Sequence, residues 1–376
     1  MLLPLGVGLS LGVLPLTTAR YTLNIPPILP TGPTTADFLT PSLDQSDLDA
    51  PKLSHANTSS FDWWHFDAVA LENPNASVAI TFSNAGPAGF PLPLPDVEHV
   101  LPNGTLPGNN TGNGNEGQAL WAHLYVTFED GRTFRHVQAV ESARMHGSGD
   151  SSVAIWHGAG GWMGSEEGYE VEVVVGEPGV NVTGRISMER ITASHSRCST
   201  AANFSSALGL GDHGLGWVAV LPDAIATVDL TVNGERLVFD GYGYHDKMWS
   251  THPFTSTTRT LHRGRAHLGL YSLLWLSYST QAASPSTQVV SSFLARDGET
   301  VNAGCVDGSV RVVPAVEQTE GGLVRGFRVQ APGVQVSVGT DVEVLEGGHA
   351  RWNGRARGLL EGVDEEGVAV FERFEY

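Results

Sequence analysis

The sequence predicts an all-β protein, and three observations predict it. Its 376 residues include 45 glycines and 21 prolines, which divide the chain into many short stretches. Between those breaks lie runs rich in valine, threonine and aromatic residues, the composition of strands. Almost nowhere do apolar residues recur with the 3.6-residue period of a helix. A chain of this length holds two domains or one large one. Its net charge of −19 argues against nucleic acid or an anionic membrane as partner, and solubility accounts for it. Lys52 and Lys247 are the only lysines, against nineteen arginines.

The chain opens with an apolar stretch, residues 1–19, uncharged apart from the amino terminus and ending in Thr17-Thr18-Ala19 before Arg20. This reads as a secretory signal cleaved after Ala19, although the usual basic start is missing. Prolines and glycines interrupt the run, which argues against a membrane anchor. The expected location is the secretory pathway, a vacuole or vesicle, or the exterior. Six glycosylation sequons, at Asn57, Asn75, Asn103, Asn109, Asn181 and Asn203, agree with that expectation. Cys198 and Cys305 are the only cysteines, and in a secretory lumen they form either one long-range disulfide or two separate buried thiols.

Residues 20–50 are rich in Pro, Thr, Ser and Asp and are expected to form an extended, unpacked lead-in. A Pro-, Asn- and Gly-rich loop follows over 86–117, long enough to be functional or mobile. Residues 120–128 and 133–140 alternate around Asp130-Gly131, which predicts a hairpin. A two-residue turn there sets Tyr125 opposite His136 and His123 opposite Gln138. Trp121, His123, Tyr125, His136 and Gln138 then line one mixed aromatic and polar face, a pairing that a slip of one residue would break. A second hairpin, 226–232 and 235–239 around Asn233-Gly234, pairs Leu230 with Leu237 and Val228 with Phe239 on a core face. Further strands are expected over 268–280, 288–295, 310–316, 323–330, 334–338, 341–346 and 368–374. Residues 199–215 admit a short helix or a loop.

Two segments concentrate the chemistry. The first is Phe61-Asp62-Trp63-Trp64-His65-Phe66-Asp67. In a strand, Phe61, Trp63, His65 and Asp67 share one face, with Asp62, Trp64 and Phe66 on the other. Large rings mixed with titratable groups suit a mostly apolar ligand with a few polar handles, or a core strand with a polar rim. The second is Gly241-Tyr242-Gly243-Tyr244-His245-Asp246-Lys247-Met248-Trp249. His245 is of the residue type that titrates near neutrality, and Asp246 and Lys247 are able to pair. A buried polar network tying two sheets together would use the same residues.

Taken together, these segments resemble the fungal Diels–Alderases of secondary metabolism. Trp217 to Trp249, with Leu221-Pro222-Asp223-Ala224, Asn233-Gly234 and Gly243-Tyr244-His245-Asp246-Lys247, carries the likeness. The Trp63-Trp64 string matches the first motif of that family, and Trp352-Asn353-Gly354-Arg355-Ala356 to Glu361 fits its closing motif. The family belongs with carotenoid-hydratase-like, lipocalin-related proteins, and the resemblance spans about residues 50–376. It departs at His65, where the family often has tyrosine, and at Met248 and Ser250, where Asn and Gly are expected, so the substrate is not carried over. The secretory start and sequons are similar to the hetero-Diels–Alder branch.

The resemblance implies two packed lipocalin-like β-sandwich or β-barrel domains, 51–240 and 241–376, with the ligand pocket between or within them. It also implies a stereoselective [4+2] cyclisation of a polyene, polyketide or terpenoid, with no cofactor and no metal. Such a reaction needs folding of the substrate and hydrogen bonds to a carbonyl. His65, Tyr244, His245, Asp246 and Lys247 then fill the catalytic role. Trp63, Trp64, Asp67, His123, Tyr125, Trp249 and Trp352 bind the substrate. Two alternatives remain: a hydratase or dehydratase using Asp246 and His245 as acid and base, and a non-catalytic carrier of an apolar metabolite. The sequence has no nucleophile elbow, His-Glu-x-x-His, phosphate loop or zinc-spaced cysteines.

Overall fold

One-sided burial and two-sided burial divide the strands of this chain, and that division locates the site. The computed structural model describes residues 19–36, 45–89, 117–198, 209–210, 215–281, 288–316, 324–339, 342–346 and 348–376. The elements begin with β1 (Tyr21–Ile25), α1 (Gln45–Asp49), β2 (Phe61–Ala70), β3 (Ser77–Ala85), β4 (Leu120–Thr127) and β5 (Thr133–Ala139). Next come β6 (Ala143–Ser148), β7 (Ser151–Trp156), β8 (Gly160–Ser165), β9 (Gly168–Glu177), β10 (Val180–Arg190) and β11 (His195–Ser196). The long hairpin β12 (Leu215–Val232) and β13 (Glu235–Ser250) leads through α2 (Phe254–Thr257) to β14 (Thr258–Leu268) and β15 (Tyr271–Thr280). The chain continues with β16 (Gln288–Arg296), β17 (Glu299–Gly304), β18 (Arg311–Val316), β19 (Val324–Ala331) and β20 (Val334–Gly339). It closes with β21 (Val342–Glu346), β22 (His349–Leu360) and β23 (Val363–Glu375).

These strands make two curled antiparallel sheets, the all-β, two-part architecture that the sequence predicts. The first runs β1-β6-β7-β8-β9-β10-β12-β13-β2-β3-β4-β5, with β11 added on β12. The second runs β17-β16-β15-β14-β23-β22-β20-β19-β18, with β21 added on β22. The expected division at 240/241 falls inside β13; the sheets themselves change at residues 251–257.

Strand β9 shows the ordinary case: Tyr169, Val171, Val173 and Val175 point inward while Glu172 and Val174 meet solvent. By contrast, all ten residues of β2 and all of β3 and β4 are buried. One face of these strands covers the interior of the first sheet, where Trp64, Phe66, Phe82, Trp156 and Trp162 pack together. The other faces the second sheet, where Phe61, Trp63, Phe254, Leu261, Leu276 and Phe374 form a separate cluster. We call this contact the seam. The second sheet keeps its own interior around Trp275, Phe327, Trp352 and Phe371.

The β12–β13 hairpin forms as expected, with Leu230 opposite Leu237 and Val228 opposite Phe239. Asn233 and Gly234 both sit at positive φ (50° and 88°), the conformation a tight turn between twisted strands requires. Further along β12, two register shifts at Ala219/Leu221 and Leu221/Ala224 bulge the strand around Pro222-Asp223. The bulge aims Asp223 across the seam, where its Oδ2 meets His267 Nδ1 at 2.7 Å and Ser272 Oγ at 2.5 Å.

Two expectations are corrected. The 120–140 hairpin closes with Phe128 N donating to Arg132 O, so its loop is longer than two residues. Tyr125 therefore pairs with Arg135 and His123 with Val137, which turns His136 and Gln138 to the opposite face. The lead-in is also packed. Strand β1 pairs with β6, and Leu48 and Ala50 enter the core of the first sheet. Composition hid this, because the apolar anchors are few among polar residues.

Cys198 and Cys305 are disulfide-bonded, joining the end of β11 to the end of β17 and so one sheet to the other. Of the sequons, Asn181 is exposed; Asn57 and Asn75 are half-buried, and their side-chain amides donate to Gly32 O and Glu129 O, each at 3.1 Å. Asn103, Asn109 and Asn203, residues 1–18 of the expected signal, and 90–116 of the expected loop lie outside the described residues. Among the described residues no helix is long and apolar enough to cross a membrane.

Candidate functional site

Strands β2 and β13 lie side by side in the first sheet, with Asp246 opposite His65, Tyr244 opposite Asp67 and Met248 opposite Trp63. Both informative segments are therefore adjacent, and alternation splits each between two faces. Trp63, His65, Asp67, Tyr244 and Asp246 face the seam. The rows continue through β3 into β4, Asp246–His65–Thr81–His123 and Tyr244–Asp67–Ala79–Tyr125. Trp64, His245, Lys247 and Trp249 turn into the first sheet instead. Trp249 lies flat on Gly216, where a Cβ would come within 2.1 Å of the indole. Trp352 turns into the interior of the second sheet, its Nε1 donating to Glu343 Oε1 at 2.9 Å.

The seam is ionic. From the second sheet, Arg263 bonds Asp246 and, through Nε at 2.5 Å, Glu372 Oε2. Arg265 Nε reaches Asp67 Oδ1 at 2.9 Å, and Arg351 Nη1 reaches Asp67 Oδ2 at 3.3 Å and Glu372 Oε1 at 3.1 Å. Three guanidinium groups thus face three carboxylates. Burial alone would raise the Asp67 carboxyl, but Arg265, Arg351 and His65 outweigh it and hold Asp67 below the ordinary carboxylate range. Glu372 is likewise lowered against its burial by Arg263, His349 and Arg351.

Both oxygens of Asp246 are engaged, Oδ2 more heavily than Oδ1. Its Oδ1 accepts from Trp63 Nε1 at 3.3 Å; its Oδ2 accepts from Trp217 Nε1 at 3.2 Å, Tyr244 Oη at 2.9 Å and Arg263. His65 is also occupied, with Thr81 Oγ1 at 2.8 Å from Nδ1 and Asp67 Oδ2 at 3.2 Å from Nε2. His123 is fully buried, and burial, aided by Arg135 and His349, pushes its pKa down to about 3.

Behind β13 lies a second polar cluster, inside the first sheet. His245 Nε2 stands 2.9 Å from Asp49 Oδ1 and Nδ1 stands 3.0 Å from His65 O, so the ring is held between two oxygen partners. Asp49 comes from α1 and also accepts from Tyr169 Oη at 2.7 Å and from Ser152. His245 and Asp246 are thus neighbours in sequence but sit in separate networks. Nearby, Lys247 Nζ bonds Asp62 Oδ1 at 2.7 Å and lies 3.5 Å from the Trp64 ring centre.

The two lysines give this interior cluster a pH signature. Burial, reinforced by the charge of Lys247, lowers Lys52 to about 7; burial lowers Lys247 to about 8 against the pull of Asp62. Between those values and the ordinary lysine pKa of about 10.4, the unfolded chain binds more protons than the folded one, so stability rises with pH. Burial raises Tyr169 and Tyr244, and above about pH 10 their ionisation in the unfolded chain reverses the trend. The urea midpoint is expected to climb between about pH 7.5 and about pH 9.5 and then fall, with Lys52→Met removing much of the climb. A midpoint that stays level across that range would contradict this assignment.

A partly open cavity of about 20 Å³ sits in the seam, room for about one water molecule and well below the size of a ligand pocket. Trp217, Tyr244, Leu274, Trp275 and Val370 make its apolar walls, and Arg263, Arg265, Asp67 and Glu372 its polar ones. Only Asp67 and Tyr244 of the residues expected from sequence line it. Trp63, His65, His123, Tyr125 and Asp246 share its seam but are not part of its wall. Sequence reasoning missed Arg263, Arg265, Arg351 and Glu372. The available signal was Arg263-Gly264-Arg265, two arginines on one strand face in a protein with almost no lysine.

Comparison with known proteins agrees with this architecture. Residues 109–354 match the model of the Diels-Alderase-like family, about two thirds of the chain. The chain belongs to that family. Diels-Alderase-like relatives include the quinolone epoxide rearrangement protein asqO of Emericella nidulans, 28% identical over 290 residues, which cover 77% of this chain and 72% of that protein. The quinolone epoxide rearrangement protein penF of Penicillium thymicola is 27% identical over 301 residues, covering 76% and 74%. Among solved structures, CghA in complex with Sch210972 superposes with a TM-score of 0.69 at 15% identity, covering 94% of this chain and 98% of that one. Kievitone hydratase from Nectria haematococca superposes with a TM-score of 0.51 at 12% identity, covering 93% and 98%. These two likenesses concern the fold.

Proposed function

We propose that this chain is an enzyme that cyclises or rearranges a small, largely apolar molecule at the seam, whose small cavity widens to admit it, within secondary metabolism of the fungal kind. The composition of the cavity carries the reading. Its walls are aromatic and aliphatic, and its charged groups are guanidinium donors whose carboxylate partners are already engaged. Such a site folds and shields a substrate and stabilises negative charge growing on an oxygen, but offers no unengaged carboxylate as a base.

A [4+2] cyclisation meets those terms. Two σ bonds form as two π bonds are consumed, and no proton or electron leaves. Holding the reacting ends together supplies up to roughly 7–11 kcal/mol in ideal cases. The names of the two fungal relatives favour a second reading with the same demand. There an epoxide C–O bond breaks as a neighbouring π bond attacks its carbon, and the freed oxygen, held by the donors, closes on the cation so formed, with no proton lost. The hydratase reading has less support, because His245 and Asp246 project from opposite faces of β13 and bond different partners.

The test is product analysis by chiral chromatography, with the full chain incubated with trienes bearing a carbonyl-activated dienophile and with alkenyl quinolone epoxides. One substrate class is expected to turn over at least about 100-fold faster than without protein, to a single stereoisomer. Val370→Phe, which fills the cavity, is expected to lose most of that acceleration while retaining its circular dichroism spectrum. Binding without any change of rate or stereochemistry would make the protein a carrier and overturn the reading.

A further inference from the structure

The seam cavity has room for about one water molecule, so a substrate reaches it only when the two sheets part. The fold restricts where they can do so. The chain crosses between the sheets once, at residues 251–257, directly after Ser250, which pairs with both Phe61 and Leu215. Strands β2 and β14 both run away from that crossover, to Ala70 and Leu268. The disulfide is the second covalent tie. Cys198 follows Ser196, whose partner Val218 lies nearer the crossover along β12 than Asp223 does. At the crossover end Phe61, Trp63, Phe254 and Phe374 also fill the seam with packed rings.

The far end is closed by two polar clips. On one side the β12 bulge carries Asp223 to His267 and Ser272 of the second sheet. On the other, Asn353 Nδ2 donates to Pro74 O and Thr127 Oγ1, each at 3.1 Å, and Arg355 Nη2 donates to Glu72 O at 2.6 Å. Between the clips lies a small apolar contact, Val69 of the first sheet with Val368 and Val370 of the second. Half-buried Tyr242 packs on that contact and stacks on His267 at 3.6 Å. Val370 is also a wall of the cavity, so one side of the contact is the cavity itself. Asp223, Asn353 and Arg355 take no part in the cavity wall. Their hydrogen bonds exchange for bonds to water when the end opens, at small net cost, whereas parting the crossover end would expose a whole aromatic cluster.

We infer that the two sheets turn about the crossover end, and that substrate enters between Val69 and Val368 when the Asp223 and Asn353 clips release. That role rests on the seam being the substrate site.

Thiol labelling of the full chain with N-ethylmaleimide tests the opening without any substrate. Leu274→Cys places a thiol in the cavity wall, and Val171→Cys places one in the core of the first sheet, where only unfolding exposes it. Adding Asp223→Ala is expected to speed labelling of the Leu274→Cys protein at least about ten-fold and that of the Val171→Cys protein less than about two-fold. Asn353→Ala is expected to act in the same direction. Replacing both cysteines of the disulfide (Cys198→Ser with Cys305→Ser) is expected to speed labelling of the Leu274→Cys protein less than either clip variant does. Equal acceleration of the two reporter proteins would mean that the clips only hold the fold together, and overturns the inference. So does an unchanged rate in both clip variants, or a larger effect from losing the disulfide. Clip-dependent labelling without turnover of any offered substrate would leave the hinge standing and remove the seam as the reaction site. Turnover with clip-independent labelling would do the reverse.

Discussion

Asp67→Asn is expected to destabilise the protein by about 3–5 kcal/mol, the cost of breaking a buried ion pair by removing one partner. The carboxylate of Asp67 is met by Arg265, Arg351 and His65, all buried in the seam. An amide leaves two guanidinium groups facing one another with half their counter-charge gone. That loss is a large share of a typical total stability of about 5–15 kcal/mol. Urea unfolding followed by circular dichroism measures it, and a loss under about 1 kcal/mol would mean that the seam is solvated. The double variant Asp67→Asn with Arg265→Met is expected to recover part of the loss, because the uncompensated cation is removed with its partner. The same group sets an acid limit. The Asp67 pKa is lowered on folding, so its contribution is complete above the ordinary carboxylate pKa of about 3.9 and is lost as pH falls below it through the folded value.

Trp64→Ala is expected to be as severe, again about 3–5 kcal/mol from the cavity alone. The indole is fully buried against Trp156 at 5.3 Å and Trp162 at 5.8 Å, and its Nε1 donates to Asp49 O at 2.7 Å. Lys247 also loses the ring beneath its ammonium group. Its neighbour Trp63 sits in the seam against Phe61, Phe254 and Phe374. Trp63→Ala should act on the contact between sheets and on the hydrogen bond to Asp246 while the first sheet stays folded. Thermal unfolding of the two variants distinguishes them. A Trp64→Ala protein with unchanged melting temperature would place that indole outside the core.

What was legible in the sequence followed from alternation and turn chemistry. The two faces of 61–67, the Asn233-Gly234 hairpin with its pairs, and most later strands follow from a period of two and from glycine-marked turns. The hairpin after Leu120 departs from the expected register because Asp130-Gly131 mimics a two-residue turn, while Phe128 and Arg132 close a wider loop. Which tryptophan faces the seam was not readable, since β2 is buried on both sides and neither face looks like a surface. The arginines were missed for a related reason. A charge every second residue in a strand reads as a solvated face, and only the facing sheet, with Asp67, Asp246 and Glu372 at the right height, turns it into an interior.

Strand β13 is gripped on both sides, by Asp49 and Asp62 behind and by Trp63, Trp217 and Arg263 in front. Such a strand tolerates little drift, since almost any exchange there strands a buried partner. The cavity walls at Leu274 and Val370 carry no comparable obligations. Divergence toward new substrates, in nature or under laboratory selection, therefore has an open route through those two positions, with the polar frame inherited unchanged.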